Sequence, residues 1–317
     1  NAGGLGILAS ATMTIEELEK AIIEVKERTD APFGVNLRAD AGDAPDRCQL
    51  LIDYGVKVAS FALAPKPELI AKLKEHDIVV IPSIGAPKHA KKVAGWGADA
   101  VMIQGGEGGG HTGAVPTTLL LPTVLDAVDI PVIAAGGFFD GRGLAAALSY
   151  GAAGIGMGTR FLLTQESRVP DAVKQRYLEA DLNGTIVTAK VDGMPHRMLR
   201  TPFVEQVEET STIKRMGPTL RRTREFKKMS GMSWPQLAKD GYQMRKAQGR
   251  TLNQMALAAN TPMMLKAGLV EGDTNAGVLA SGQVVGVIDE LPTCDELITR
   301  VVTQAAAELR RTQSYLI

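Results

Sequence analysis

From residue 1 to about residue 160, short runs of β-branched and apolar residues alternate with amphipathic helical stretches. The runs cover 5–9, 33–37, 56–63, 78–84, 100–104, 131–135 and 153–157. Their apolar residues stand mostly on consecutive positions, as expected where both faces of a parallel sheet are buried. Helical periodicity fills the intervals, including 15–28, 68–75, 87–95, 117–128 and 141–150, and Thr14 with Glu17 forms a capping-box pair at the first of these. Strand–helix alternation with short connections admits two architectures, a doubly wound open sheet or a (β/α)8 barrel. Seven runs are present where a barrel needs eight, and Asn1-Ala2-Gly3-Gly4 leads directly into the first run without an initiator methionine. On the barrel reading a first βα unit, on the order of 30 residues, is expected to be missing from this chain. The open sheet needs no such unit.

Past Arg160 the rhythm changes. Residues 171–179 read as a helix, and 185–191 alternate toward Gly193 like a strand approaching a turn. The stretch 213–248 is basic and helix-rich, with Arg221, Arg222, Arg224, Lys227 and Lys228 clustered. It reads either as a solvated helix face or as a site for a phosphate-bearing substrate. Residues from 294 onward read as one helix, so 161–317 is expected to form a helical cap on a barrel domain spanning 1–160.

A chain of 317 residues suits one large barrel with an appendage, or two ordinary domains. Lysine plus arginine equals aspartate plus glutamate at 35 each, which argues against nucleic acid or an anionic membrane as partner. Cys48 and Cys294 form no CxxC pair, and no histidine stands at metal-ligand spacing. Reduced thiols and no metal are the expectation. With no apolar run near the ~20 residues of a membrane span and no basic-then-apolar leader, a cytoplasmic protein is expected. A homodimer stays open as the assembly.

The strongest local signal is Gln104-Gly105-Gly106-Glu107-Gly108-Gly109-Gly110-His111-Thr112-Gly113. It follows a buried run, at the strand end where barrel active sites are built. Its glycines let backbone approach a planar ligand and present N–H groups unobstructed. His111 in such a loop suits a base or hydrogen-bond donor near neutral pH. The alternative is a flexible glycine loop with an incidental histidine. A second signal is a pair of loops, Ala134-Ala135-Gly136-Gly137-Phe138 and Gly156-Met157-Gly158-Thr159-Arg160-Phe161, which end the last two strands. Phosphate-binding barrels use backbone N–H groups at these two places. Thr159 adds a hydroxyl, and Asp140 can cap the helix after the first loop. Asn36 ends a strand and either bonds a ligand ring or serves a turn. Ser281-Gly282-Gln283 contacts a cofactor or turns the chain. His76 and His89 are expected at the surface, while His196 is open between structural and functional roles.

As a set, Asn1-Ala2-Gly3-Gly4-Leu5-Gly6, Phe33-Gly34-Val35-Asn36, the loop ending in His111, Gly136-Gly137, Gly156-Met157-Gly158-Thr159 and Gly282-Gln283 resemble the nitronate monooxygenase (2-nitropropane dioxygenase-like) family of FMN enzymes. That family includes flavin-dependent enoyl reductases. The resemblance implies an α/β fold, a (β/α)8 TIM-type barrel with its first strand absent here, and an α-helical C-terminal cap. It implies FMN contacts at Asn36, Gln104 and Gly109, a phosphate site at Gly136, Gly137, Gly156, Met157, Gly158 and Thr159, and a catalytic role for His111. Within the family the chain is most similar to actinobacterial flavin oxidoreductases of steroid catabolism, through 106–113, 134–143 and 194–201. This implies hydride transfer between flavin N5 and a ring carbon of an indane acyl-CoA, with 221–228 meeting the CoA phosphates. Two other activities are implied by the wider family: nitronate oxidation with O2, and enoyl reduction with NAD(P)H as donor. A flavin-free phosphate-binding barrel is the reading of a different class.

Overall fold

The computed structural model describes residues 1–191, 193–209, 261–275 and 277–315. The basic run 221–228 lies outside the described residues. The chain forms two compact units: the first is Asn1–Gly108, Gly113–Glu166 and Glu290–Ile317, the second Gly109–Thr112 and Ser167–Asp289.

The first unit holds seven parallel strands: β1 (Ile7–Ala9), β2 (Gly34–Arg38), β3 (Val58–Ala62), β4 (Val79–Ile84), β5 (Val101–Gln104), β7 (Val132–Ala135) and β8 (Gly154–Gly156), hydrogen-bonded in that order. Sequential order with a helix between neighbours is barrel connectivity rather than the reversal of a doubly wound sheet. Helices α1 (Ile15–Arg28), α2 (Ala44–Asp53), α3 (Pro67–Lys74), α4 (Pro87–Gly95), α5 (Thr117–Leu125) and α6 (Gly141–Tyr150) make the crossovers. The Thr14–Glu17 capping box starts α1 as expected, and the Asp140 carboxylate accepts from the Arg142 and Gly143 N–H groups at the start of α6.

Period-2 geometry sorts the strand residues onto two faces. Val35, Leu37, Ala59, Phe61 and Val80 pack with Leu18, Ile22 and Leu51 of the helices, and Val101, Ile103, Val132 and Ala134 pack with Leu120, Leu121 and Val124. On the opposite face Val58, Ile81 and Ala100, with Met102 and Ile133, form a separate apolar layer. The next residues along that face are polar or bare: Asn36, Ser60, Ser83, Gln104, Ala135 and Gly156. The sheet therefore carries an apolar floor with polar and glycine positions toward its C-terminal strand ends.

Two further helices complete the unit, α7 (Thr159–Leu162) and α11 (Cys294–Gln313), the last begun by a Thr293–Glu296 capping box. Gly141 seats α11 on α6, since a methyl there would come within 2.6 Å of Gln304 Cβ. Both cysteines are free. Cys48 is fully buried in the helix layer, and burial pushes its thiol up to about 11. A thiol reagent at neutral pH is expected to modify only the half-buried Cys294 in the native protein, and both cysteines in urea.

The second unit contains a three-stranded antiparallel sheet in the order β6 (Gly110–His111), β10 (His196–Leu199), β9 (Thr185–Thr188). Among the described residues its helices are α8 (Asp171–Leu178), α9 (Pro202–Glu209) and α10 (Thr261–Leu269). Val191, Met198, Val204, Met264 and Val278 form its core. The 185–191 alternation announced β9, and β10 pairs with it just past the expected turn; β6 pairs with β10 from far upstream, which a local pattern cannot show.

Candidate active site

All of the expected cofactor residues except Gly109 lie in the first unit, on its strands or in the segments that follow them. Asn36 of β2 is half-buried, and its Nδ2 donates to Ser60 Oγ on β3 at 3.1 Å. The Asn36 carbonyl accepts from the Ser10 hydroxyl at 2.6 Å, so both ends of the residue are held. Gln104 ends β5, and its side chain folds against Gly108, where a methyl would come within 2.6 Å of Gln104 Nε2. Gly136 and Gly137 follow β7 with φ of 100° and 82°, the left-handed region that favours glycine. Gly156 ends β8. Met157 and Gly158 lead into α7, where Thr159 is buried.

Arg160, only 3% exposed, anchors that last loop. Its Nη2 donates to the Leu163 carbonyl at 2.7 Å and to the Glu290 carbonyl at 2.9 Å. Methionine at position 160 keeps the apolar stem and strands the buried Leu163 carbonyl, so it is expected to cost about 1–3 kcal/mol in urea unfolding.

The second unit carries the expected base. His111 is exposed on β6 and pairs directly with His196 on β10, while the Thr112 N–H donates to the Pro195 carbonyl at 3.1 Å. The two imidazoles lie 4.8 Å apart, centroid to centroid, tilted by 49°. His196 is buried at 1% exposure. Beside them Gly109 presses on the Ser281-Gly282 backbone: a methyl there would sit 2.5 Å from Gly282 N and from the Ser281 carbonyl carbon. Gly282 is extended and leads into a short 3-10 helix, with Ser281 N donating to the Arg197 carbonyl and Leu199 N to the Leu279 carbonyl. His76 and His89 are exposed on the first unit. Among the described residues no group of three or more His, Cys, Asp or Glu side chains could hold a metal ion, and no helix is long and apolar enough to cross a membrane.

The family model for nitronate monooxygenase matches residues 1–304. This chain belongs to the nitronate monooxygenase family. Its members are flavin-dependent oxidoreductases, and the chain is an enzyme of that class. It is 67% identical, over 305 residues, to the (3aS,4S,5R,7aS)-5-hydroxy-7a-methyl-1-oxo-octahydro-1H-indene-4-carboxyl-CoA dehydrogenase of Rhodococcus jostii, with 96% of this chain and 86% of that protein covered. The Mycobacterium tuberculosis protein of the same name is 65% identical over 313 residues, with 98% and 88% covered. Among solved structures, FabK from Thermotoga maritima superposes with a TM-score of 0.79 at 33% identity, covering 99% of this chain and 88% of that one. The fold is the TIM-type barrel of these enzymes.

The strand-end edge fits the flavin that the family requires. A methyl added at Gly158, just past the β8 end, would meet no described atom within 4 Å, so that glycine leaves open space there. Gln104 stands at the end of β5, whereas Asn36, expected at a strand end, lies in the middle of β2, which runs on to Arg38. The α6 terminus is closed by its own Asp140 cap. Sequence reasoning left out Ser60, which orients the Asn36 amide, and Thr117, which holds Glu107. Neither carries a motif, and each acts through a partner on another element.

Proposed function

We propose that this chain is an FMN-dependent dehydrogenase of a cyclic acyl-CoA, a steroid-derived indane carboxylate carried as its CoA thioester. The observation that carries this reading is the 67% identity, over 96% of the chain, to a dehydrogenase of an indene-carboxyl-CoA. Bound FMN supplies a two-electron acceptor for hydride at N5 of its ring. Asn36 and Gln104 orient that ring through their amides, with Gly109 giving backbone access to it. Gly136, Gly137, Gly156, Met157, Gly158 and Thr159 hold the phosphate by backbone N–H groups and the Thr159 hydroxyl.

His111 takes the proton from the carbon beside the thioester, which the carbonyl acidifies. The neighbouring ring carbon gives up its hydride, so substrate loses one proton and one hydride and gains a double bond conjugated with the thioester. The cross-strand pairing to β10 fixes the His111 backbone, and the buried His196 ring limits where the His111 imidazole can turn. Two antiparallel neighbours on rigid backbone suit a base that must keep one geometry.

The test is incubation of the FMN-loaded full chain with an indane-carboxyl-CoA and an artificial electron acceptor, followed by mass spectrometry. A product two hydrogens lighter than substrate is expected; unchanged thioester would reject the proposal. Nitronate oxidation is the second reading, favoured by the family description and by relatives of about half that identity, and would show instead as oxygen consumption with a nitroalkane.

A further inference from the structure

Glu107 is the charged residue of the loop 104–108, and its carboxylate turns back into the protein. Both carboxylate oxygens face the Thr117 N–H, at 3.2 and 3.0 Å, and Oε2 lies 2.9 Å from the Thr117 hydroxyl. Thr117 opens α5, where backbone N–H groups lack intrahelical acceptors, and the preceding Pro116 has no side chain to supply one. Glu107 therefore caps α5 from ten residues upstream, with its negative charge at the positive end of the helix dipole. The same Thr117 hydroxyl is 3.1 Å from the Gly136 carbonyl oxygen.

Gly105 is bare because this network fills its space, while Gly136 and Gly137, in left-handed turns, close against the same loop. A methyl on Gly105 would overlap the Thr117 hydroxyl and come within 2.5 Å of Glu107 Oε2. One on Gly136 would stand 3.1 Å from Gly105 N and 3.3 Å from Gly108 N, and one on Gly137 would touch Glu107 Cβ at 3.6 Å. One carboxylate and one hydroxyl thus join three segments: the loop after β5, the start of α5 and the loop after β7.

We propose that Glu107, acting through Thr117, is a positioning residue that holds the 104–108 and 136–137 loops in fixed register for the flavin. Loops locked before the cofactor arrives need not be ordered by it, and affinity rises accordingly. Glu107 does no chemistry here; both of its oxygens are engaged with Thr117. The inference rests on the FMN reading above, and its test separates the two.

The full chain and four variants, Glu107→Ala, Glu107→Gln, Thr117→Val and Thr117→Ser, are compared in three measurements. These are the FMN dissociation constant from quenching of flavin fluorescence, the hydrogen-exchange rate of the Thr117 amide without FMN, and the melting temperature without FMN. Glu107→Ala is expected to weaken FMN binding about tenfold, the loss of a charge-assisted pair of bonds, and to speed Thr117 amide exchange. Thr117→Val should weaken FMN by a smaller factor and lower the melting temperature less than Glu107→Ala does. Glu107→Gln and Thr117→Ser, which keep an acceptor and a hydroxyl, should stay within about twofold of the parent. Parent-like affinity in both Glu107→Ala and Thr117→Val, or a loss in Glu107→Gln as large as in Glu107→Ala, overturns the proposal. If Glu107→Ala does not fold, the contrast between Thr117→Val and Thr117→Ser decides in the same sense. Failure of the parent chain to bind FMN would instead sink the cofactor reading. The Thr117 amide then decides the clamp: protection lost in Glu107→Ala supports it, and protection retained overturns it.

Discussion

Replacing His111 with alanine is expected to slow acyl-CoA dehydrogenation by about 10²–10⁴-fold, the range for loss of a positioned general base, while FMN stays bound. The expectation follows from where the ring stands. Its backbone is fixed in an antiparallel pair with β10, its imidazole lies 4.8 Å from that of buried His196, and the residue itself is exposed. Removing the exposed ring deletes no core packing, so the melting temperature should move little. A readout specific to proton abstraction is exchange of the acidic substrate hydrogen in D2O with no electron acceptor present. The parent enzyme should catalyse that exchange and His111→Ala should not. Exchange at parent rates in the variant would move the base to another residue. His196→Ala tests a different role: removal of a buried ring opens a cavity beneath His111, so stability falls along with rate.

Gly109→Ala is expected to be the most damaging single change for the second unit, costing about 3 kcal/mol or more. The methyl would meet backbone on both Ser281 and Gly282 at 2.5 Å, and backbone cannot swing aside as a flexible side chain can. Ser281 is fully buried and bonded to the Arg197 carbonyl, so any retreat would disturb β10 and with it the His111 pairing. The adjacent Gly110 supplies the control. Its φ is +74°, yet an added methyl there meets nothing within 4 Å. Gly110→Ala should therefore cost only the left-handed penalty of about 1–2 kcal/mol. Urea unfolding of the two variants distinguishes close packing from backbone strain. A loss at Gly109 no larger than that at Gly110 would show that the Ser281–Gly282 backbone gives way to the methyl.

Much of the first unit was legible along the chain, and the reason is physical. A parallel sheet buried on both faces writes consecutive apolar runs, and each run located one of the seven strands to within about two residues at either end. Helices with a clean apolar stripe, such as Ile15–Arg28 and Pro87–Gly95, matched their expected bounds. Helix Ala44–Asp53 was not singled out: proline at its second position and a short mixed sequence hide the stripe. The second unit was far less legible. A two-residue strand, Gly110–His111, has no periodicity to detect, and its partner lies beyond residue 190. The pairing of His111 with His196 therefore came only from the fold, although both residues had been noticed singly. The same holds for Glu107 and Thr117, since a side chain that caps a helix from ten residues away follows no spacing rule. Glycine motifs were readable because each serves a local need, either a left-handed turn at Gly136 and Gly137 or close approach at Gly109. What each glycine leaves room for was not readable.

The measurement that bears most directly on the central claim is anaerobic mixing of the FMN-loaded full chain with candidate substrates, following the visible flavin absorbance. Bleaching by an indane-carboxyl-CoA, with no bleaching by a nitroalkane or its nitronate, is the result this account predicts. Bleaching by the nitro compounds alone would contradict it and make nitronate oxidation the reaction of this chain.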